Sequence, residues 1–451
     1  MLKSEGVNER KSNASAALSL FRFLRMNRTT LIFILPAILL LIDWYVFQAV
    51  KTLSRSATES TQRIIAIAFW GFSAISLLLY IIMQLLPPDS ISRNTRTFLW
   101  AFIAIPYFSK IFAVLVILID DIGRFFRWVV SLFYKPEVRE AVEDTTRKTM
   151  PATDTITRSD FLMKTALVVG AVPLVGFSWG ILSGAHDYRI RRVKLPLKNL
   201  PSGFNGMTIA QISDIHSGSF FNKTAVKGGV EMLLGQKPDM VFFTGDLVNS
   251  HADEVNSYID VFNKVKAPLG VYSTLGNHDY GKYVQWPSAQ AERQNVMNVI
   301  AAHKQMGWNI MLDENKILEQ NGDKIALIGV QNLGFGPAAL RAGNLAKAYK
   351  GTEEYPVKLL LSHDPTHWDA EVRPNYSDID VQFSGHTHGA QFGVDLGDVK
   401  WSPAQYFYKQ WAGLYQEGDQ RLYVNRGYGY IGYPGRVGIL PEITIFELVQ
   451  A

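Results

Sequence analysis

IAQISDIH, residues Ile209 to His216, is an apolar run of strand length that ends in Asp214 and His216. Side chains two residues apart leave the same face of an extended backbone, so the carboxylate and the imidazole point the same way. Four later stretches repeat the design: VFFTGDLVN carries Asp246, VYSTLGNHD carries Asn277 and His278, LLLSHD carries His363, and VQFSGHTH carries His386 and His388. Singly these residues mean little, because a histidine after an apolar run is usually a hydrogen-bonded structural residue and an aspartate beside glycine is usually a turn. Gathered at strand-to-loop junctions of one domain, where the loops of an α/β fold converge, they form a metal-ligand set. Imidazole, carboxylate and amide oxygen together suit Mn, Fe, Zn or Co rather than Ca.

Around this series, strands alternate with helical or looped connections from Arg189 onward. Strands are expected at 207–213, 240–244, 270–275, 324–330, 357–362, 379–384, 421–424 and 443–448, and helices at 226–234, 255–265 and 285–306, with Thr224 as a cap for the first helix. Layered sheets flanked by helices follow from that alternation, with ligands presented at strand ends. The remaining histidines, His186, His251 and His303, have no motif around them and read as surface residues.

The chain has 451 residues, too many for one ordinary domain, a net charge of +5 and no cysteine. Disulfides, thiolate ligands and a cysteine nucleophile are therefore excluded, and the small, scattered positive charge gives no nucleic-acid signature. Residues 1–185 read as a membrane region and 190–451 as a soluble catalytic domain. Spans are expected at 31–50, 64–86, 97–119 and 161–182, each long enough to cross a hydrocarbon layer roughly 30 Å thick. Pro87 and Pro88 close the second span. A basic lead-in with a short amphipathic patch at Leu18 to Leu24 precedes the first, Gly123 to Tyr134 reads as an interfacial amphipathic helix, and 135–158 as a polar linker. Asp43 and Lys110 are charges inside the first and third spans, most simply read as lying near an end or facing a neighbouring helix. Lys and Arg divide almost evenly between the two sides, so the positive-inside rule does not orient the spans. TRSDFLMK, Thr157 to Lys164, resembles the start of a twin-arginine export signal, with Ser159 in place of the second arginine. On that cue the linker is cytoplasmic and the catalytic domain extracytoplasmic, at a bacterial inner membrane.

The motifs in order are DxH at Asp214 to His216, GDxxN at Gly245 to Asn249, GNHD at Gly276 to Asp279, His363, and GHTH at Gly385 to His388. This series resembles the calcineurin-like metallophosphoesterases, and the several spans resemble the membrane-anchored bacterial branch of that family. The resemblance implies a four-layer α/β/β/α sandwich behind an all-α membrane region, and a centre of two divalent metal ions. It places Asp214, His216 and His388 on one ion, Asn277, His363 and His386 on the other, and Asp246 between them. Ala390 departs from the second glycine that relatives often carry after GHTH. Two such ions acidify a water between them, which then attacks a phosphate ester or pyrophosphate in line. His278 is expected to protonate the leaving group, with Asp279 orienting it. Asn249 and His367 are weaker candidates beside the site, and Arg426 and Arg436 could reach a phosphate or instead stabilise their loop. The expected partners are a phosphorylated substrate, lipid-linked or envelope-related, and the bilayer itself, with no nucleic acid. The alternative is a membrane scaffold that keeps the fold without the chemistry.

Overall fold

In the computed structural model the described residues are 28–87, 90–134, 158–336, 339–397 and 399–451. The lead-in with its Leu18 to Leu24 patch, and nearly all of the 135–158 linker, lie outside them. The chain forms two compact units, one of residues 1–91 and 99–175, the other of 92–98 and 176–451.

Among the described residues four helices are long and apolar enough to cross a membrane: α1 (Arg28–Leu53), α2 (Glu59–Leu85), α3 (Arg93–Phe133) and α4 (Arg158–Leu182). Thr58 caps α2 by accepting the Thr61 N–H. The expected third span and the amphipathic stretch after it are one helix of 41 residues. At 1.5 Å per residue it is about 60 Å long, roughly twice the hydrocarbon thickness. Pro36, Pro106 and Pro173 lie inside helices, which spans tolerate because neighbouring helices re-satisfy the freed carbonyls. Within the first unit Asp43 and Lys110 meet at 2.5 Å. The fully buried Asp43 carboxylate also accepts the Tyr107 hydroxyl at 2.6 Å, and the Lys110 ammonium lies 4.4–5.0 Å from the ring centres of Tyr107, Phe69 and Phe72. Both charges therefore face neighbouring helices, as a buried charge in lipid requires.

The second unit is built from two six-stranded sheets. The strands are β1 (Arg189–Leu197), β2 (Thr208–Ile212), β3 (Met240–Thr244), β4 (Val271–Thr274), β5 (Asn309–Ile310), β6 (Glu314–Gln320), β7 (Asp323–Gly329), β8 (Lys358–Leu361), β9 (Val381–Ser384), β10 (Val394–Leu396), β11 (Val399–Trp401), β12 (Gly413–Glu417), β13 (Gln420–Val424) and β14 (Glu442–Gln450). One sheet runs β1-β14-β2-β3-β4-β5 and the other β12-β13-β9-β8-β7-β6, while β10 and β11 make a separate hairpin. Neighbours β2, β3 and β4 are parallel, as are β7, β8, β9 and β13. The central strands are near-continuous apolar runs because both faces are covered. Phe242, Leu359, Phe383 and Phe446 fill the space between the sheets. On the outer face of the first sheet, Val241 and Phe243 pack under α5 (Lys223–Leu234) and α6 (Ala289–Gln305). On the outer face of the second, Leu360 and Leu422 pack with Trp368 and Val372, from the helical segment 368–375, and with Leu345 of α7 (Leu345–Tyr349). The result is helix, sheet, sheet, helix. Asn222, not Thr224, caps α5 by accepting the Ala225 N–H at 3.1 Å. His303, expected at the surface, is fully buried in α6 with Nδ1 2.9 Å from the Ser273 hydroxyl.

Candidate metal centre

The parallel strands of both sheets end at one edge of the sandwich, and every expected ligand sits on the loop just beyond a strand end. Gln211 crosses between the sheets there, donating to Thr244 Oγ1 at 2.9 Å and to the Ser384 carbonyl at 3.0 Å. The loops bend hard. Asp214, His216, Asp246, His386 and His388 all have positive φ, between 48° and 74°, a conformation that costs a non-glycine residue about 1–2 kcal/mol. Glycines make room for the carboxylates: a Cβ on Gly385 would collide with Asp214, and one on Gly276 with Asp246. Ala390, where relatives often have glycine, also sits at φ 52°.

Two groups of donor atoms result, each within 4.8 Å of one another: Asp214, His216 and His388, and Asp246, His363 and His386. His388 Nε2 lies 2.9 Å from His216 Nε2 and 3.3 Å from Asp214 Oδ1. His363 donates from Nδ1 to the Thr244 carbonyl at 2.7 Å, which turns its Nε2 inward. That nitrogen is 3.2 Å from Asn277 Oδ1, and His386 Nδ1 is 2.7 Å from the same oxygen. Asp246 Oδ2 is 3.5 Å from His216 Nε2 and 3.2 Å from His363 Nε2, so one oxygen faces both groups. Imidazole nitrogens and carboxylate and amide oxygens aimed at common points fit a cation better than they fit one another. The charges agree. Burial drives His216 down to about 3, and it raises Asp214 to about 6. Burial also disfavours a charged His363, yet Asp246 beside it holds the proton to about 10, a strain that a bound divalent ion would relieve by taking the proton's place.

His278 and Asp279 part company. The His278 ring donates from Nδ1 to the Asn249 carbonyl at 2.8 Å and stacks on Tyr283 at 4.3 Å. Asp279 turns the other way, its carboxylate accepting the backbone N–H groups of Gly276, Asp246, Leu247 and Val248 at 2.9–3.2 Å. Asp279 thus ties the two ligand loops together, and the main chain at Asn249 orients His278. The Asn249 side chain itself bonds Ser219. His367 is buried away from the donor groups, between Ser362 and Glu371 and stacked on Phe335. Arg426 is buried on Glu442 at 2.5 Å and Asp395 at 3.0 Å, and Arg436 is ringed by the carbonyls of Arg426, Gly427 and Gly429. Both guanidiniums are buried in ties to the loops, and that of Arg436 also lies 3.2 Å from His388 Nδ1, behind the ligand nitrogen.

A cleft of about 310 Å³ opens over Asn277 and His386. Its walls include Tyr283, Phe335, Asp364 and Tyr408, which the sequence reading leaves out. Tyr283 receives the Asn277 amide N–H at 2.7 Å, which directs Oδ1 to the histidines, and Tyr408 lies 2.9 Å from His386 Nε2. Asp364 directly follows His363 and could have been found by adjacency. Nothing in the sequence marks Tyr408.

Residues 27–185 match the family model described as probable calcineurin-like phosphoesterase, transmembrane domain, and residues 207–390 match the model for calcineurin-like phosphoesterase, which takes in every ligand loop above. The chain belongs to the calcineurin-like phosphoesterases. Among curated relatives, the protein is 29% identical over 301 residues to the uncharacterized metallophosphoesterase YkuE of Bacillus subtilis, covering 65% of this chain and 98% of that one. It is 30% identical to a zebrafish transmembrane protein with metallophosphoesterase domain, over 63% of this chain and 62% of that one. It is 24% identical to the phosphodiesterase YaeI of Escherichia coli, over 53% of this chain and 80% of that one.

Proposed function

We propose that this membrane protein hydrolyses a phosphate ester or pyrophosphate at a centre of two divalent ions, with residues 1–185 as anchor and 190–451 as catalytic domain. The observation that carries the reading is the sharing of Asp246 Oδ2 between two groups of clustered donors, one of which meets an open cleft through His386. Asp214, His216 and His388 would hold one ion, Asn277, His363 and His386 the other, with Asp246 bridging. Ions of the Mn, Fe, Zn or Co class would supply Lewis acidity toward phosphate oxygens and acidify a water. The chain's own groups do the rest. His278, held through Nδ1, offers Nε2 to the departing oxygen and gives it a proton as the phosphorus–oxygen bond breaks. Tyr283 keeps that ring upright, Asp279 keeps the two loops in register, and Tyr408 fixes His386. A tethered enzyme favours an envelope or lipid-linked substrate. The export-like start of α4 supports a catalytic domain outside the cytoplasm, at a bacterial inner membrane.

The test is hydrolysis of bis-p-nitrophenyl phosphate and p-nitrophenyl phosphate by the detergent-solubilised chain, stripped of metal and reloaded with Mn. Activity is expected to need the ion. Asp246→Asn should abolish both activity and stoichiometric metal binding, and His278→Ala should keep the metal while lowering turnover about 10²–10⁴-fold. Failure to bind metal would sink the reading.

A further inference from the structure

One apolar face of the second unit has no part in the metal chemistry. In the β10–β11 hairpin Val394 is paired with Trp401 and Leu396 with Val399. These four share one face, because successive residues alternate and Asp395 and Lys400 take the other. Leu396 is 75% exposed and Val399 63%. The back of the hairpin is pinned: the side chain of Asp395 is buried, and its carboxylate is bonded to Arg191 at 2.5 Å and Arg426 at 3.0 Å. Beyond it Tyr406 and Phe407 are 71% and 81% exposed, and Phe407 lines the cleft over His386. At its other end the patch runs into a membrane-spanning helix. Trp401 meets Phe392 at 6.1 Å between ring centres, and Phe392 stacks on Phe177 at 5.4 Å, which lies in the apolar stretch Asp160–His186. Exposed apolar surface that is contiguous and rigidly held marks an interaction site.

We propose that the hairpin face, with Tyr406 and Phe407, enters the leaflet that α4 leaves, so that the cleft takes its phosphate ester from a lipid of that same bilayer. The occupant is lipid rather than a protein because the patch continues the surface of a span, and its make-up of aliphatic tips with Trp and Tyr at the margin matches the headgroup boundary. The contacts of Asp395 with Arg191 and Arg426 stop the hairpin from folding back over its own apolar face. The substrate half of the proposal rests on the phosphoesterase reading, and the docking half does not.

The chain has no cysteine, so Leu396→Cys carries a single nitroxide label in the full-length protein, reconstituted in phosphatidylcholine vesicles containing phosphatidic acid. Met297→Cys, exposed on α6, is the control. The label at 396 is expected to collide with oxygen and be shielded from a water-soluble nickel chelate, with the reverse at 297. Water-like behaviour at 396 overturns the docking, as does shielding from both reagents, which a covering protein would give. In the same vesicles the double variant Leu396→Glu with Val399→Glu should hydrolyse phosphatidic acid at least about tenfold more slowly, since withdrawing the two apolar side chains from lipid weakens docking by that order or more, and bis-p-nitrophenyl phosphate at the unchanged rate. Equal lipid turnover in the variant overturns the docking. Turnover of the soluble diester but of no vesicle lipid overturns the substrate half alone. If neither is turned over, the phosphoesterase reading fails, and the label still decides the docking.

Discussion

At the scale of single residues, His303 shows how burial changes a side chain that sequence marks as ordinary. Its ring lies against Phe243 and Trp308, and burial drives its pKa down to about 3. The folded value is below the unfolded one of about 6.5, so the native state is favoured in full above 6.5 and loses that advantage as pH falls toward 3. Between pH 7 and pH 5 the chain is expected to lose about 2 kcal/mol more stability than His303→Leu does. Urea denaturation in detergent at the two pH values measures it, and equal losses would mean that the ring is not held neutral by the fold. His303 was illegible because a buried histidine inside a helix leaves no spacing behind. The ligand series is legible for the opposite reason: each candidate is pinned to the end of an apolar run, so position and chemistry are written together. What lies around the ligands is less so. Tyr408 and Tyr283 come from loops whose paths depend on tertiary packing, and Asp279 adjoins His278 in sequence while its carboxylate serves four backbone amides elsewhere.

Among the elements, the central strands were readable and the edges were not. β2, β3, β4, β8 and β9 are buried along almost their whole length and are mainly apolar, with a few buried polar residues such as Gln211, Ser273 and Gln382 among them. β1, β6 and β12 are edge strands with charged side chains and, in β1, a proline, the devices by which sheets protect an open edge. Such residues hide a strand from any reading based on hydrophobicity. The spanning helices were readable by length, but the pairing of their charges was not. Removing one partner of a buried ion pair leaves the other charge stranded, which costs about 3–5 kcal/mol, whereas replacing both by apolar groups is often neutral. Asp43→Leu or Lys110→Met alone should therefore lower the melting temperature sharply in detergent, and the double variant should recover most of the loss. A double variant as unstable as the sum of the singles would mean that the two residues do not act as a pair.

The whole molecule joins a unit of long apolar helices and an α/β unit that answer to different solvents, and composition alone divides them. Orientation is the one global property that the sequence barely encodes, since its basic residues fall on both sides. With no cysteine in the chain, Met297→Cys reports the side directly. A membrane-impermeant maleimide is expected to label it in intact spheroplasts, and protection until lysis would place the catalytic domain in the cytoplasm. The Asp43–Lys110 pair also bears on how the protein is made. Its partners stand 67 residues apart in the chain, and a ribosome adding roughly 5–20 residues per second delivers the carboxylate several seconds before the ammonium exists. During that interval α1 has an acidic group and nothing to neutralise it, so it is a poor lodger in open lipid. Its release from the insertion machinery is therefore expected to wait for the birth of α3, so that a single pair of charges would set an order of assembly for the bundle.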